Sequence, residues 1–175
     1  MDLLTFNEPD SVRQANMTVA QAVSLWSQVE AYGCRLGSPE TQGALTGRGG
    51  TWMKNIMAQM GNRVGFVSLH CYFADQNIVA FRNYLQPVYD YYKKPIWITE
   101  WGLVDFTNPA RYSLSDMAAF ANQALPMLDS LPFVERHAWF SGSHSKSIKS
   151  GMLDKNGNLT EIGQVFKAQL ALLWT

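Results

Sequence analysis

The stretch Val64-Gly65-Phe66-Val67-Ser68-Leu69 is apolar at nearly every position and does not alternate between apolar and polar residues. A strand of this kind suits a sheet that is covered on both faces, as the sheets of parallel α/β proteins are. Other short segments rich in β-branched and aromatic residues lie on both sides of it along the chain. The sequence therefore predicts strands at 3–8, 33–37, 64–72, 95–101 and 134–140.

Helical patterns alternate with these strands. The sequence predicts helices at 18–31, 51–60 and 77–92, a fourth from 115 onward, and a fifth at 160–173. Thr18 and Gln21 match the capping box at the start of the first helix. Pro126 is expected to kink or end the fourth, because proline lacks the amide hydrogen that a helix interior needs.

Repeated strand–helix units predict an α/β fold with a parallel sheet. No glycine-rich phosphate loop follows the first strand, which argues against a nucleotide-binding doubly wound fold. A (β/α)8 TIM barrel fits better, although five units are three short of closure. The expected fold is therefore a partial TIM barrel that forms one domain over residues 1–175.

The bulk composition excludes several classes of protein. The chain has 14 basic and 14 acidic residues, so no net field would attract nucleic acid or an anionic membrane. No apolar run is long enough to span a bilayer, and the residues after Met1 do not resemble a signal peptide. The two cysteines, Cys34 and Cys71, are expected to be buried thiols, which excludes a disulfide scaffold.

Two glutamates close two of the strand-like runs. Glu8 ends the run in Leu3-Leu4-Thr5-Phe6-Asn7-Glu8-Pro9-Asp10, and Glu100 ends the run in Pro95-Ile96-Trp97-Ile98-Thr99-Glu100-Trp101-Gly102. Parallel strands carry their functional residues at their carboxyl ends, so both carboxylates are expected on one rim. Paired carboxylates are the minimal apparatus for hydrolysing a glycosidic bond. The alternatives are a helix-capping role for Glu8 and a structural ion pair for Glu100.

Metal and cofactor chemistry finds little support in the sequence. The three histidines, His70, His137 and His144, form no His-Glu-x-x-His pattern, and no paired Cys-x-x-Cys is present. His144 lies in a polar loop that is expected to fall on the catalytic rim and to be solvated. No Gly-x-Ser-x-Gly nucleophile elbow occurs. We therefore expect no metal site and no cofactor.

The chain resembles glycoside hydrolase family 128, whose members are endo-β-1,3-glucanases of clan A. The resemblance is carried, in the family's order, by Phe6-Asn7-Glu8-Pro9-Asp10, Leu36-Gly37-Ser38-Pro39, His70-Cys71-Tyr72, Lys94-Pro95-Ile96-Trp97-Ile98-Thr99-Glu100, Val134-Glu135-Arg136-His137-Ala138-Trp139-Phe140 and Leu159-Thr160. It implies that the chain holds strands four to eight of the family barrel. Cys71 stands where the family usually has Trp, and His137 where it more often has Tyr, which suggests an altered sugar-binding rim.

The resemblance also implies a mechanism, the retaining endo-hydrolysis of β-1,3-glucan. Glu100 would be the nucleophile and Glu8 the acid/base. Retaining enzymes hold their two carboxyl groups about 5–5.5 Å apart, and inverting enzymes about 6.5–9.5 Å apart. Asn7 would bond the sugar 2-hydroxyl, and Tyr72 would orient Glu100. The remaining expected substrate-binding residues are His70 in the floor of the site, Trp139 as the stacking platform and Trp101 along the cleft.

Two other functions stay open on the sequence. One is a clan A β-glycanase acting on β-1,4-linked glycans, because the two-glutamate rim is shared across that clan. The other is a catalytically silent carbohydrate-binding fragment, because a partial barrel leaves strand edges unpaired. The expected partners are a β-glucan polysaccharide or oligosaccharide, with no nucleic acid and no membrane. A homodimer or the missing barrel strands would close the edges, and the resemblance suggests a secreted or cell-wall protein.

Overall fold

The computed structural model describes residues 1–143 and 149–172, in which strands and helices alternate along the chain. The strands are β1 (Asp2–Leu3), β2 (Arg35–Leu36), β3 (Val67–Phe73), β4 (Ile96–Leu103) and β5 (Val134–Trp139). The α-helices are α1 (Val19–Glu30), α2 (Gly47–Met60), α3 (Ile78–Tyr92), α4 (Leu114–Asp129) and α5 (Glu161–Leu172). The predicted alternation is confirmed. None of the described helices combines the length and the apolar character needed to cross a membrane.

The sheets are parallel, as predicted. Strand β1 pairs with β2, placing Asp2 opposite Arg35, and β3, β4 and β5 form a second sheet in that order. Isolated parallel bridges continue the pairing beyond the short strands: Asn7 with Glu40, Gly37 with Phe66, and Thr41 with Leu69. The fold is thus α/β with parallel sheets, consistent with a partial TIM-barrel-like fold.

Strands β1 and β4 differ from the prediction at the two glutamates. The segment 3–8 forms a ladder only at its start and keeps one isolated bridge at Asn7, after which Glu8 leaves the β region with a φ of 39°. Strand β4 runs on past Glu100 to Leu103, so Glu100 lies inside the strand and not at its end. The strand continues because Trp101 and Leu103 are fully buried, and the Val104 amide still bonds the Phe73 carbonyl at 2.8 Å.

Helix α1 begins where its capping residue predicts, whereas α2 begins at Gly47, four residues before the predicted start. Thr18 caps α1 in a complete capping box with Gln21. Helix α4 runs through Pro126 to Asp129, so the proline does not end it, and the alternative that it kinks the helix stays a prediction. The last turn closes because the Ser130 amide donates to the Pro126 carbonyl at 3.1 Å, and proline forgoes only its own donor. His144 and the predicted helix end at 173 lie outside the described residues.

The chain divides into two compact units, each with its own core. Unit one comprises residues 1–71, 86–99 and 133–136, and unit two comprises residues 72–85, 100–132 and 137–175. The largest fully buried side chains of unit one include Trp26, Phe66 and Ile98. Those of unit two include Phe81, Trp101 and Phe120, whose rings contact one another. Each unit therefore has a packed apolar interior of its own.

Candidate active site

Glu8 occupies a backbone conformation that non-glycine residues rarely adopt. Its φ is 39°, and the peptide is held there by two hydrogen bonds. The Glu8 amide donates to the Glu40 carbonyl at 2.7 Å, and the Glu8 carbonyl accepts from the Ser11 amide at 3.0 Å. Such conformations cost energy and persist where the surroundings determine them, which is common at functional sites. Because of this turn, Glu8 leaves the strand direction and buries its side chain.

The Glu8 side chain is buried, since the residue is only 8% exposed, and both of its carboxyl oxygens have a partner. His70 of strand β3 places its Nδ1 3.0 Å from Oε1. Gln42 donates from Nε2 to Oε2 at 2.9 Å. The helix-capping alternative for Glu8 does not hold for α1, because Thr18 caps that helix. The carboxyl group is thus fixed in orientation within unit one and is partly shielded from water.

Asn7, the residue expected to bond the sugar, lies on the surface of unit one. Its side chain is exposed, and Nδ2 donates to Gln14 Oε1 at 3.5 Å, which is a long and weak hydrogen bond. A side chain held so loosely is available to a ligand. The role of Asn7 stays a prediction.

Glu100 lies in unit two with the partner that the sequence predicted for it. The Tyr72 hydroxyl donates a short hydrogen bond to Glu100 Oε2. The Tyr72 ring is braced edge-on by Phe106, with centroids 5.0 Å apart, and by Phe140 at 5.9 Å. The phenol is therefore held in place by its neighbours, and it presents its proton to one oxygen of the carboxylate.

The two tryptophans of the prediction are both buried in unit two. Trp101 has no exposed surface, and its ring packs edge-on against Trp139 at 4.8 Å. The expectation that Trp101 lines the cleft is therefore wrong, because the ring belongs to the core. Trp139 is 5% exposed and donates its indole N–H to the Ser150 carbonyl at 2.7 Å. Its stacking role stays a prediction.

Sequence reasoning missed Gln42, which contacts Glu8. This residue lies in a turn segment without periodicity, and nothing in a single sequence links it to a carboxylate 34 positions away. Asp10, which accepts the Gln42 amide hydrogen, lies two residues after Glu8, and no pattern in the sequence assigns it a role.

Among the described residues no group of three or more His, Cys, Asp or Glu side chains could hold a metal ion. Cys71 is buried, which raises the pKa of its thiol well above the usual range.

Comparison with known proteins points to one family. The model of the family described as "Glycosyl hydrolase catalytic core" matches residues 2–166. An endo-β-1,3-glucanase of Amycolatopsis mediterranei, from subgroup I of family 128 and solved with laminaritriose, is 38% identical with a TM-score of 0.86. That match covers 95% of this chain and 71% of the glucanase.

Two further relatives differ in kind. An oligosaccharide-binding protein of Cryptococcus neoformans, from subgroup VII of the same family, is 26% identical with a TM-score of 0.78 and covers 98% of this chain and 68% of its own. Alkali-sensitive linkage protein 1 of Schizosaccharomyces pombe is 28% identical over 178 residues, which cover 94% of this chain. The match spans 32% of that curated relative, about a third of its length.

Proposed function

Because the chain belongs to glycoside hydrolase family 128, we propose that it hydrolyses internal bonds of β-1,3-glucan and retains the anomeric configuration. The observation that carries the proposal is that strand β3 supplies a partner to each predicted catalytic carboxyl group. His70 contacts Glu8, and Tyr72 contacts Glu100. Solved relatives with up to 38% identity bind laminaritriose or laminarihexaose, which supports a β-1,3-linked substrate.

In the proposed mechanism Glu100 attacks the anomeric carbon and forms a covalent glycosyl-enzyme. The Tyr72 hydroxyl donates to Oε2 of Glu100 and orients the carboxylate for this attack. Glu8 donates a proton to the glycosidic oxygen as it leaves, and then takes a proton from the water that attacks the anomeric carbon. The second displacement restores the original configuration and frees Glu100.

The substrate-binding residues of the proposal are fewer than the sequence suggested. Asn7 would bond the 2-hydroxyl, a contact that strengthens in the transition state. Trp139, which is 5% exposed, would be the stacking platform for the sugar, and His70 would act through Glu8. Trp101 is left out, because it has no exposed surface.

We further propose that β1 to β5 correspond to strands four to eight of the family barrel. Support comes from the match of 95% of this chain to 71% of the Amycolatopsis mediterranei glucanase. In the described part of the chain β1 and β5 each end a sheet, and such edges favour pairing with further strands. The missing barrel strands or a second copy of the chain would provide these further strands. The mass of the purified protein in solution tests whether two copies associate.

Oligosaccharide binding without turnover is the second candidate function. It is favoured by the Cryptococcus neoformans relative, which is an oligosaccharide-binding protein of the same family. The two candidates differ in one observable, because a binding protein retains laminarioligosaccharides unchanged while a hydrolase shortens them.

The deciding experiment measures reducing ends released from laminarin and from a β-1,4-glucan by the wild type, Glu100→Ala and Glu8→Gln. We expect turnover of laminarin alone, none by Glu100→Ala, and a loss of about 10²–10⁴-fold for Glu8→Gln. Azide is expected to restore part of the Glu8→Gln rate on substrates with a good leaving group. Full activity of Glu100→Ala would remove the nucleophile assignment. Binding of laminarihexaose by a folded, inactive wild type would establish the second candidate instead.

A further inference from the structure

We infer that Gln42 is a positioning residue that aims the carboxyl group of Glu8 for proton transfer. The inference rests on the proposed function, since it assigns how the acid/base of that reaction is held. Its starting point is the 2.9 Å hydrogen bond from Gln42 Nε2 to Glu8 Oε2. The other oxygen, Oε1, lies 3.0 Å from His70 Nδ1, so the two neighbours define the plane of the carboxyl group together.

Gln42 can hold Glu8 because its own backbone is anchored. The Gln42 amide donates to both carboxylate oxygens of Asp10, at 3.2 Å and 3.4 Å. Asp10 is 3% exposed, so this contact lies in the interior of unit one. The preceding residue, Thr41, has no exposed surface and forms a parallel bridge with Leu69 of strand β3. The segment that carries the Gln42 side chain is therefore fixed on two sides.

The first turn of helix α2 packs against the same anchor. A Cβ atom at Gly49 would lie 2.7 Å from the Gly43 amide nitrogen and 2.9 Å from Asp10 Oδ2. Only glycine allows this approach, which brings the amino end of α2 to the Asp10 carboxylate. The positive end of the helix dipole favours a negative charge there. Asp10 thus has a packing reason and an electrostatic reason to stay where it holds Gln42.

Gln42 and His70 each hold one oxygen of the Glu8 carboxyl group. In this arrangement the Gln42 amide nitrogen donates, so Oε2 of Glu8 is held as the acceptor. Proton transfer requires a carboxyl group placed within hydrogen-bond reach of the glycosidic oxygen. Misplacement by about 1 Å costs up to about 100-fold in rate. In this role Gln42 acts through Glu8.

Substrates with different leaving groups separate this role from a general structural one. The leaving group of laminarin is a sugar alkoxide, which needs a proton as it departs. The leaving group of 2,4-dinitrophenyl β-laminaribioside is 2,4-dinitrophenolate, a stable anion that needs none. For Gln42→Met we expect kcat/KM on laminarin to fall about 10- to 100-fold, and on the aryl glycoside to stay within about threefold of the wild type. On the aryl glycoside kcat and KM should fall together, since Glu8 also activates water, and azide should restore kcat.

Two companion variants complete the test. Gln42→Asn keeps the amide but shortens its reach, and we expect the same selective loss from it. Gln86→Met makes the same change at an exposed glutamine of α3 and should leave both substrates unaffected. Equal losses on the two substrates, or no loss on laminarin, in either Gln42 variant would overturn the inference while the wild type stays active. Absence of wild-type turnover on both substrates would instead overturn the proposed function, and the inference with it.

Discussion

Replacing Tyr72 by phenylalanine tests the proposed nucleophile with the smallest possible change. The substitution removes the hydroxyl that donates to Glu100 Oε2 and leaves the ring between Phe106 and Phe140. The packing of unit two is therefore retained, and the altered interaction is the hydrogen bond itself. We expect a loss of activity with an unchanged fold.

The size of this loss follows from the chemistry of the bond. A hydrogen bond to a charged group contributes about 1.5–3 kcal/mol, about twice the value for a neutral pair. If Tyr72 orients Glu100 in the transition state, the same amount is added to the barrier, which is about a 10- to 150-fold fall in kcat/KM. Reducing-end release from laminarin measures it directly.

Tyr112→Phe is the matched control. Its hydroxyl donates to the Ala74 carbonyl at 2.6 Å, so the control also loses a tyrosine hydrogen bond, but one to a neutral acceptor outside the proposed mechanism. We expect its kcat/KM on laminarin to match the wild type, with at most a small fall in thermal stability. A change of less than about twofold in Tyr72→Phe would refute the argument that this bond orients the nucleophile.

Three predictions concern stability and do not depend on the proposed function. Phe120→Ala empties a fully buried site and should cost about 3–5 kcal/mol, a fall of about 6–20 °C in the melting temperature measured by calorimetry. Ser113→Ala removes the cap of α4 and should cost about 0.5–2 kcal/mol in urea denaturation. Hydrogen bonds from Thr107 and Arg111 lower the pKa of Asp105 from 3.8 to about 2. The ionised Asp105 therefore stabilises the fold fully above pH 3.8, and this stabilisation is lost as the pH falls to about 2. Asp105→Asn should therefore differ from the wild type in urea midpoint at neutral pH and approach it in acid.

Each of these has a control or a result that contradicts it. Leu170→Ala removes an apolar side chain that is 55% exposed, and it should change the melting temperature far less than Phe120→Ala. An unchanged urea midpoint in Ser113→Ala would mean that the capping box contributes nothing measurable. A stability difference between wild type and Asp105→Asn that grows in acid would have the wrong sign for a lowered pKa.

The elements that sequence could predict were those with a local cause. Helix α1 follows from the Thr18 cap and its apolar stripe, and both act within a few residues. The end of α4 could not be predicted, because whether a turn closes around Pro126 depends on the packing of Leu125 and Leu128 in the core. The burial of Trp101 has the same origin, since alternation along β4 does not reveal how many rings cover the strand.

The candidate site divides in the same way. The contact between Tyr72 and Glu100 was expected from the resemblance to the family, and the structure shows it. The contact of Glu8 with Gln42 is set by a turn whose shape depends on Asp10 and on a close glycine contact. No local pattern encodes an interaction of this kind, so it had to come from the three-dimensional arrangement.

The alternation of His70 and Tyr72 along β3 has a genetic consequence. The two side chains are two positions apart, and one contacts Glu8 while the other contacts Glu100. Deleting one codon upstream of both within the strand would shift each of them by one residue and turn both to the opposite face. Deletion scanning should therefore find this short segment intolerant, whereas the deletion of one residue in an exposed loop such as 155–158 should be tolerated.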